Sequence, residues 1–189
     1  MRRALLLTAL SLMVLAPATA LAAGPVLGAG VVRTKLAEGG DSRYSGLDGG
    51  GYKVGFEIGS NHFRNEWAFN QTALSGSGDG TSHRLTLTGF SYQLSFMLFK
   101  RGFTPYVGAG VEGGIAAMRE PNSFVYPSSP GYYDYSYEEI NEGVYLRPYG
   151  ILGLRMQFGF GLGLRGELVS SYYGEFVGLS TNFGISYTW

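Results

Sequence analysis

The sequence predicts an all-β fold, an eight-stranded antiparallel transmembrane β-barrel with up-and-down topology. Three observations predict it. Beyond an N-terminal leader, apolar residues recur with period two, and no segment sustains a 3.6-residue apolar stripe. In the alternating stretches, large aliphatic and aromatic side chains share one face, while glycine, serine and charged residues share the other. Composition agrees, with 31 glycines, 15% aromatic residues and 15% charged residues in 189, where soluble domains carry about a quarter charged.

The leader comes first. Met1-Arg2-Arg3 is a basic start, Ala4 to Ala16 an apolar core, and Ala20-Leu21-Ala22 a small-x-small cleavage site preceded by Pro17, the layout of a secretory signal peptide. The apolar run approaches the length of a retained anchor, but Pro17 and the alanines favour cleavage. Arg2-Arg3 lacks the flanking motif of a twin-arginine route. We read 1–22 as a cleaved signal peptide and 23–189 as one barrel domain. Loss of the two leader arginines turns 14 basic and 14 acidic residues into 12 and 14.

Eight strands follow, at 25–36, 49–59, 63–74, 83–99, 103–118, 143–157, 160–173 and 179–189. Each meets the roughly 9–11 residues of a tilted span. The first has apolar residues in both registers ahead of Arg33 and Lys35. In the second, Tyr52, Val54, Phe56 and Ile58 oppose Lys53 and Glu57. In the third, Phe63, Trp67 and Phe69 oppose Arg64, Glu66 and Asn70. The fourth sets Phe90, Tyr92, Leu94, Phe96 and Leu98 against Ser91, Gln93 and Ser95. Its Leu85 and Leu87 are out of phase, so a bulge is expected near Gly89. In the fifth, Phe103, Pro105, Val107, Ala109, Val111 and Ile115 oppose Thr104, Tyr106, Glu112 and glycines. The sixth sets Val144, Leu146, Leu152, Leu154, Met156 and Phe158 against Tyr145, Arg147, Tyr149, Arg155 and Gln157. In the seventh, Phe160, Leu162, Leu164 and Leu168 oppose Arg165 and Glu167. The eighth alternates Leu179, Thr181, Phe183, Ile185, Tyr187 and Trp189 with small polar residues.

Nine charges, Lys53, Glu57, Arg64, Glu66, Glu112, Arg147, Arg155, Arg165 and Glu167, fall on the small face. A soluble barrel would turn its large residues inward. Here the small face suits a narrow interior and the oily face suits hydrocarbon, where all backbone groups must pair and no open edge is allowed. Connections alternate in length: short turns at Ser60-Asn61-His62, Lys100-Arg101-Gly102 and around Gly159, longer polar segments at 37–48, 75–82, 119–142 and 174–178. Outer-membrane barrels have short periplasmic turns and longer external loops, so both termini are expected in the periplasm. Phe63, Phe99, Phe103, Phe158 and Phe160, with Trp189, would form an inner aromatic girdle.

Phe103-Thr104-Pro105-Tyr106-Val107-Gly108-Ala109-Gly110-Val111 resembles the central strand of the small bacterial outer-membrane β-barrel family, the OmpA/OmpX-like and opacity-protein group. The terminal Phe183, Ile185, Tyr187 and Trp189 resemble the signal by which the barrel-assembly machinery recognises such chains. The resemblance covers nearly all of 24–189. It implies residence in the outer membrane of a Gram-negative bacterium, among outer-membrane lipid and lipopolysaccharide. It leaves the task open, since the family includes structural proteins, adhesins and small pores.

Other chemistry finds little footing. Without cysteine there are no disulfides, thiolate metal sites or cysteine nucleophiles, and the charge balance argues against nucleic acid. Gly108–Gly113 and Gly161–Gly166 match G-x-G-x-x-G but lie inside strands, without the helix a dinucleotide site needs. Ser82-His83 with nearby Asp79 weakly suggests a hydrolase triad; a solvated rim histidine is the plainer reading, and His62 is read as a surface turn residue. No catalytic residue, cofactor or metal site is assigned.

The interior of an eight-stranded barrel is just wide enough for side chains to fill. We therefore expect Arg64, Arg147, Arg155 and Arg165 to pair with Glu57, Glu66, Glu112 and Glu167 across the lumen, as a plug or, alternatively, as the selectivity filter of a narrow pore. The third external segment carries Tyr126, Tyr132, Tyr133, Tyr135 and Tyr137 with Asp134, Glu138 and Glu139, and tyrosine-rich loops make good contact surfaces. The expected role is a non-enzymatic barrel for envelope structure or surface interaction. The alternatives are a passive pore for small solutes, or a barrel subunit, with envelope protein partners, in an assembly for secretion, polymer export or motility.

Overall fold

A computed structural model describes residues 22–36, 46–60, 62–78, 81–99, 102–121, 137–172 and 176–189. Residues 1–21 of the expected leader 1–22 and the loop residues Tyr126, Tyr132, Tyr133, Asp134 and Tyr135 lie outside them. Eight strands form: β1 (Ala22–Leu36), β2 (Asp48–Gly59), β3 (Phe63–Gly78), β4 (Thr81–Met97), β5 (Phe103–Pro121), β6 (Tyr137–Gln157), β7 (Leu162–Tyr172) and β8 (Phe176–Tyr187). Each pairs antiparallel with the next, and β8 returns to β1, closing the barrel. Closure leaves no sheet edge to bind another chain or to face hydrocarbon unpaired.

Alternation decides what each face meets. Outward stand Leu27, Val31, Phe56, Trp67, Phe90, Leu146, Leu152, Phe183 and many others of their kind, all exposed. Asn65 and Gln71 share that oily surface on β3, and each accepts a hydrogen bond from a neighbouring tyrosine, Tyr92 (2.7 Å) and Tyr52 (2.8 Å) respectively. A polar group in an apolar setting is costly unless bonded. The girdle residues Phe63, Phe99, Phe103, Phe160 and Trp189 are exposed around the short-turn end, where Phe158 stacks on Phe160 (5.7 Å) and Trp189 approaches Phe56 (6.4 Å).

The short turns are tight. Gly102 and Gly161 adopt φ of 76° and 92°, a left-handed backbone that glycine enters without steric cost. Phe158 N–H donates to Leu162 O (2.8 Å) and Gly161 N–H to Phe158 O (3.1 Å). Phe160 therefore belongs to a turn, and β7 begins at Leu162, two residues later than the periodicity suggests.

Two further expectations need correction. The bulge near Gly89 does not form: β4 pairs without a break through Gly89 with Asn70 of β3 and Gly114 of β5. Leu85 and Leu87 keep phase and face inward, fully buried, because this part of the interior is apolar. The register shift occurs instead between Met118 and Arg119, where β5 pairs with β6. The strands at the long-connection end also run on. β3 and β4 leave only 79–80 between them, and β5 and β6 only 122–136, since backbone pairing continues beyond the oily belt.

Candidate functional site

The lumen is the candidate site, and its side chains fall into an ionic layer near the short-turn end and an apolar layer near the long-connection end. In the ionic layer Glu57 of β2 takes two nitrogens of Arg155, from β6 on the opposite wall, at 2.6 and 2.8 Å. Arg64 donates to the same carboxylate at 3.1 Å. Glu66 of β3 bonds Arg165 of β7, again across the barrel, and Lys53 at 3.0 Å. Lys53 also reaches Glu167 at 3.0 Å, which receives the Tyr106 hydroxyl at 2.7 Å and lies 3.7 Å from Arg165. All seven charged side chains are buried or nearly so.

The layer is anchored to the turn below it. Arg155 donates to Gln157 (2.9 and 3.0 Å) and Ser186 (2.9 Å), and Gln157 donates to Gly161 O and Thr188 Oγ1. A gap of only about 10 Å³ remains among Glu57, Arg64, Glu66, Arg155 and Arg165. That is about the volume one water needs.

The last two charges form their own group on neighbouring strands. Arg147 donates to both oxygens of Glu112 at 3.0 Å, and the Tyr145 hydroxyl donates to the same carboxylate. The Arg147 guanidinium lies 5.8 Å from the Tyr145 ring centroid, a cation–π distance. Beside it sits the apolar layer of Leu47, Leu74, Leu85, Leu87, Ala116 and Met118 with Tyr145, backed by Val32. A cavity of about 80 Å³ separates the layers, lined by Lys53, Asn70, Gln93, Glu112, Arg147 and Glu167 among others.

Inward glycines hold this packing in place. A Cβ on Gly153 would lie 2.2 Å from the Tyr106 ring, and one on Gly110 2.4 Å from the Tyr149 ring. In each case the tyrosine is the glycine's register partner on the next strand. The bare backbone makes room for the ring, from which Tyr106 donates to Glu167 (2.7 Å) and Tyr149 to the backbone O of Tyr92 (3.4 Å).

Solved structures of other proteins match this chain, two of them with the same architecture. One is Ail, the attachment invasion locus protein of Yersinia pestis, solved in complex with the heparin analogue sucrose octasulfate. It matches at 12% identity and a TM-score of 0.58, over 90% of this chain and 100% of that one. Neisserial surface protein A (NspA) matches at 10% identity and a TM-score of 0.60, over 89% and 99%. This chain has the same eight-stranded barrel fold. No protein-family model matches it, and no curated protein matches it in sequence.

Within that barrel, all nine inward charges come together in the two groups above. Tyr106, Tyr145, Gln157 and Ser186 join them; they were not singled out as site residues, although their parity on the inward face was readable. The inward leucines were missed altogether. His83 is buried, not solvated, because its strand position points into the mouth. His62 is half-buried, with Nδ1 2.9 Å from Met97 O and its ring stacked 5.8 Å from Phe96. Phe183, Ile185, Tyr187 and Trp189 all face outward. The backbone of Tyr137, Glu138 and Glu139 lies in β6, opposite Pro121, Glu120 and Arg119.

Proposed function

We propose that this chain is a non-enzymatic integral protein of the outer membrane, closed to ions, that serves envelope structure or surface interaction through its external loops. One observation carries the closed state. Carboxylates meet cations across the lumen, Glu57 of β2 with the Arg155 guanidinium of β6 at 2.6 and 2.8 Å and Glu167 of β7 with the Lys53 ammonium of β2 at 3.0 Å, so an ion would have to break buried pairs to pass. The 80 Å³ cavity above them has room for a few waters. The continuous oily exterior supports residence in lipid. The two longest connections, 37–47 and 122–136, leave the same end of the barrel, which supports an external position for that end and periplasmic termini. Ail, a barrel of the same fold, is named the attachment invasion locus protein, and a surface role of that general kind fits a barrel whose interior is occupied.

Planar-bilayer recording of purified protein tests the closed state. The parent should give no steady conductance. Stepwise ion-selective currents altered by Arg155→Ala would replace the plug with a filter.

A further inference from the structure

The charges of the ionic layer do not balance. Its four cations, Lys53, Arg64, Arg155 and Arg165, meet only three carboxylates, Glu57, Glu66 and Glu167. Glu57 is shared by two guanidiniums, and Arg64 reaches no other carboxylate among the described residues. A buried charge without a counter-charge is costly. The donors do not balance either. Arg165 is 7% exposed, and its Nη2 has no hydrogen-bond partner among the described residues. Ser95 Oγ accepts from Gln93 at 2.9 Å, which leaves its own hydrogen to donate elsewhere.

We propose that the gap between Arg64, Arg155 and Arg165 is a binding site for one small monovalent anion of the halide class, such as chloride. Charge sets the valence. The lining carries three guanidiniums against two carboxylates, Glu57 and Glu66, and each carboxylate is already held by two cations. One positive charge is left over. Size sets the class, since a gap of about 10 Å³ is about what one water needs and is too small for a carboxylate, phosphate or sulfate. Guanidinium is weakly hydrated, and its hydrogen bonds to an anion are stronger than those to a neutral acceptor.

The gap can be reached from one side. The Arg64 side chain is 15% exposed, against 4% for Arg155 and Arg165, and Arg64 is the second residue of β3, beside the short turn. An anion entering from the short-turn end meets Arg64 first and passes none of the pairs made by Lys53 and Glu167. The site goes beyond the closed state proposed above and does not need it, because a conducting lumen with the same cluster would hold an anion at the same place.

The test is urea titration of the full mature chain in phosphatidylcholine vesicles, with sodium chloride, bromide, sulfate and gluconate compared at equal ionic strength. Relative to gluconate, chloride should shift the parent's folding equilibrium toward the barrel along a saturation curve, by about tenfold once it reaches about ten times its dissociation constant. Bromide should act as chloride does, and sulfate should not. Arg64→Gln removes the surplus charge, and Gln93→Glu builds a carboxylate into the wall of the gap; each should lose the chloride response. Arg33→Ala, which alters only the exposed pair with Asp48, should keep it. Heat-modifiable gel mobility verifies folding, and if Arg64→Gln does not fold, Gln93→Glu decides. Crystals grown in bromide should show an anomalous peak between Arg64, Arg155 and Arg165 in the parent and none there in Gln93→Glu. A parent without a saturable chloride response, an equal response in Gln93→Glu, or no bromide in the gap overturns the site and leaves the surplus charge to water from the short-turn end. Bilayer recording reads conduction separately, so the closed state and the anion site can fail independently.

Discussion

Glu57 shows why individual luminal residues matter. It is 1% exposed and is shared by Arg155 and Arg64. Arg155→Ala would remove the clamp from the opposite wall and leave the carboxylate with the weaker partner. Breaking a buried pair costs about 3–5 kcal/mol, and denaturant titration of the folded barrel should show a loss of that order; an unchanged midpoint would mean that Glu57 is hydrated. Gly153 matters for a steric reason. Gly153→Val would evict the Tyr106 ring and cost its hydrogen bond to Glu167, about 1–3 kcal/mol in all. Tyr106→Phe loses the same bond, so the double variant should cost less than the two singles together. Strict additivity would separate the glycine from the ionic layer.

Among the elements, the inner face of β4 departs most from a simple pattern. Its outer half contributes Leu85 and Leu87 to the apolar layer, and its inner half contributes Gln93 and Ser95 to the polar lumen. A bulge and a change of interior chemistry produce the same phase break in a one-dimensional pattern, and only the uninterrupted register separates them. Leu87→Ala should destabilise the barrel by about 2–5 kcal/mol, the usual cost of emptying a packed leucine site, read from the same titration. A negligible effect would show that the layer collapses freely around the gap. The charged faces of β2, β3, β6 and β7 were more legible, because a charge in an alternating strand can avoid hydrocarbon only by taking the inward parity.

At the scale of the molecule, closure through β1 and β8 makes every strand internal, so stability resides in the wall and its filling. Segment 122–136 connects β5 to β6 beyond a long paired stretch. Its replacement by a short Gly/Ser turn should leave heat-modifiable mobility and thermal unfolding unchanged while removing any binding to cells, glycans or partner proteins. Binding that survives the replacement would move the interaction surface elsewhere; a barrel that fails to fold would give the segment a structural role.

Period-two alternation, the inward parity of the charges and the short-turn punctuation were properties of the chain alone. Side-chain direction in a strand is set by parity, and parity requires no knowledge of neighbours. Which charge meets which was decided by shear and strand number, which bring Glu57 under Arg155 and Glu66 under Arg165 from opposite walls some 98 and 99 residues apart. The inward leucines belong to the same class. Each is an ordinary residue at an ordinary position until closure of the barrel supplies its neighbour.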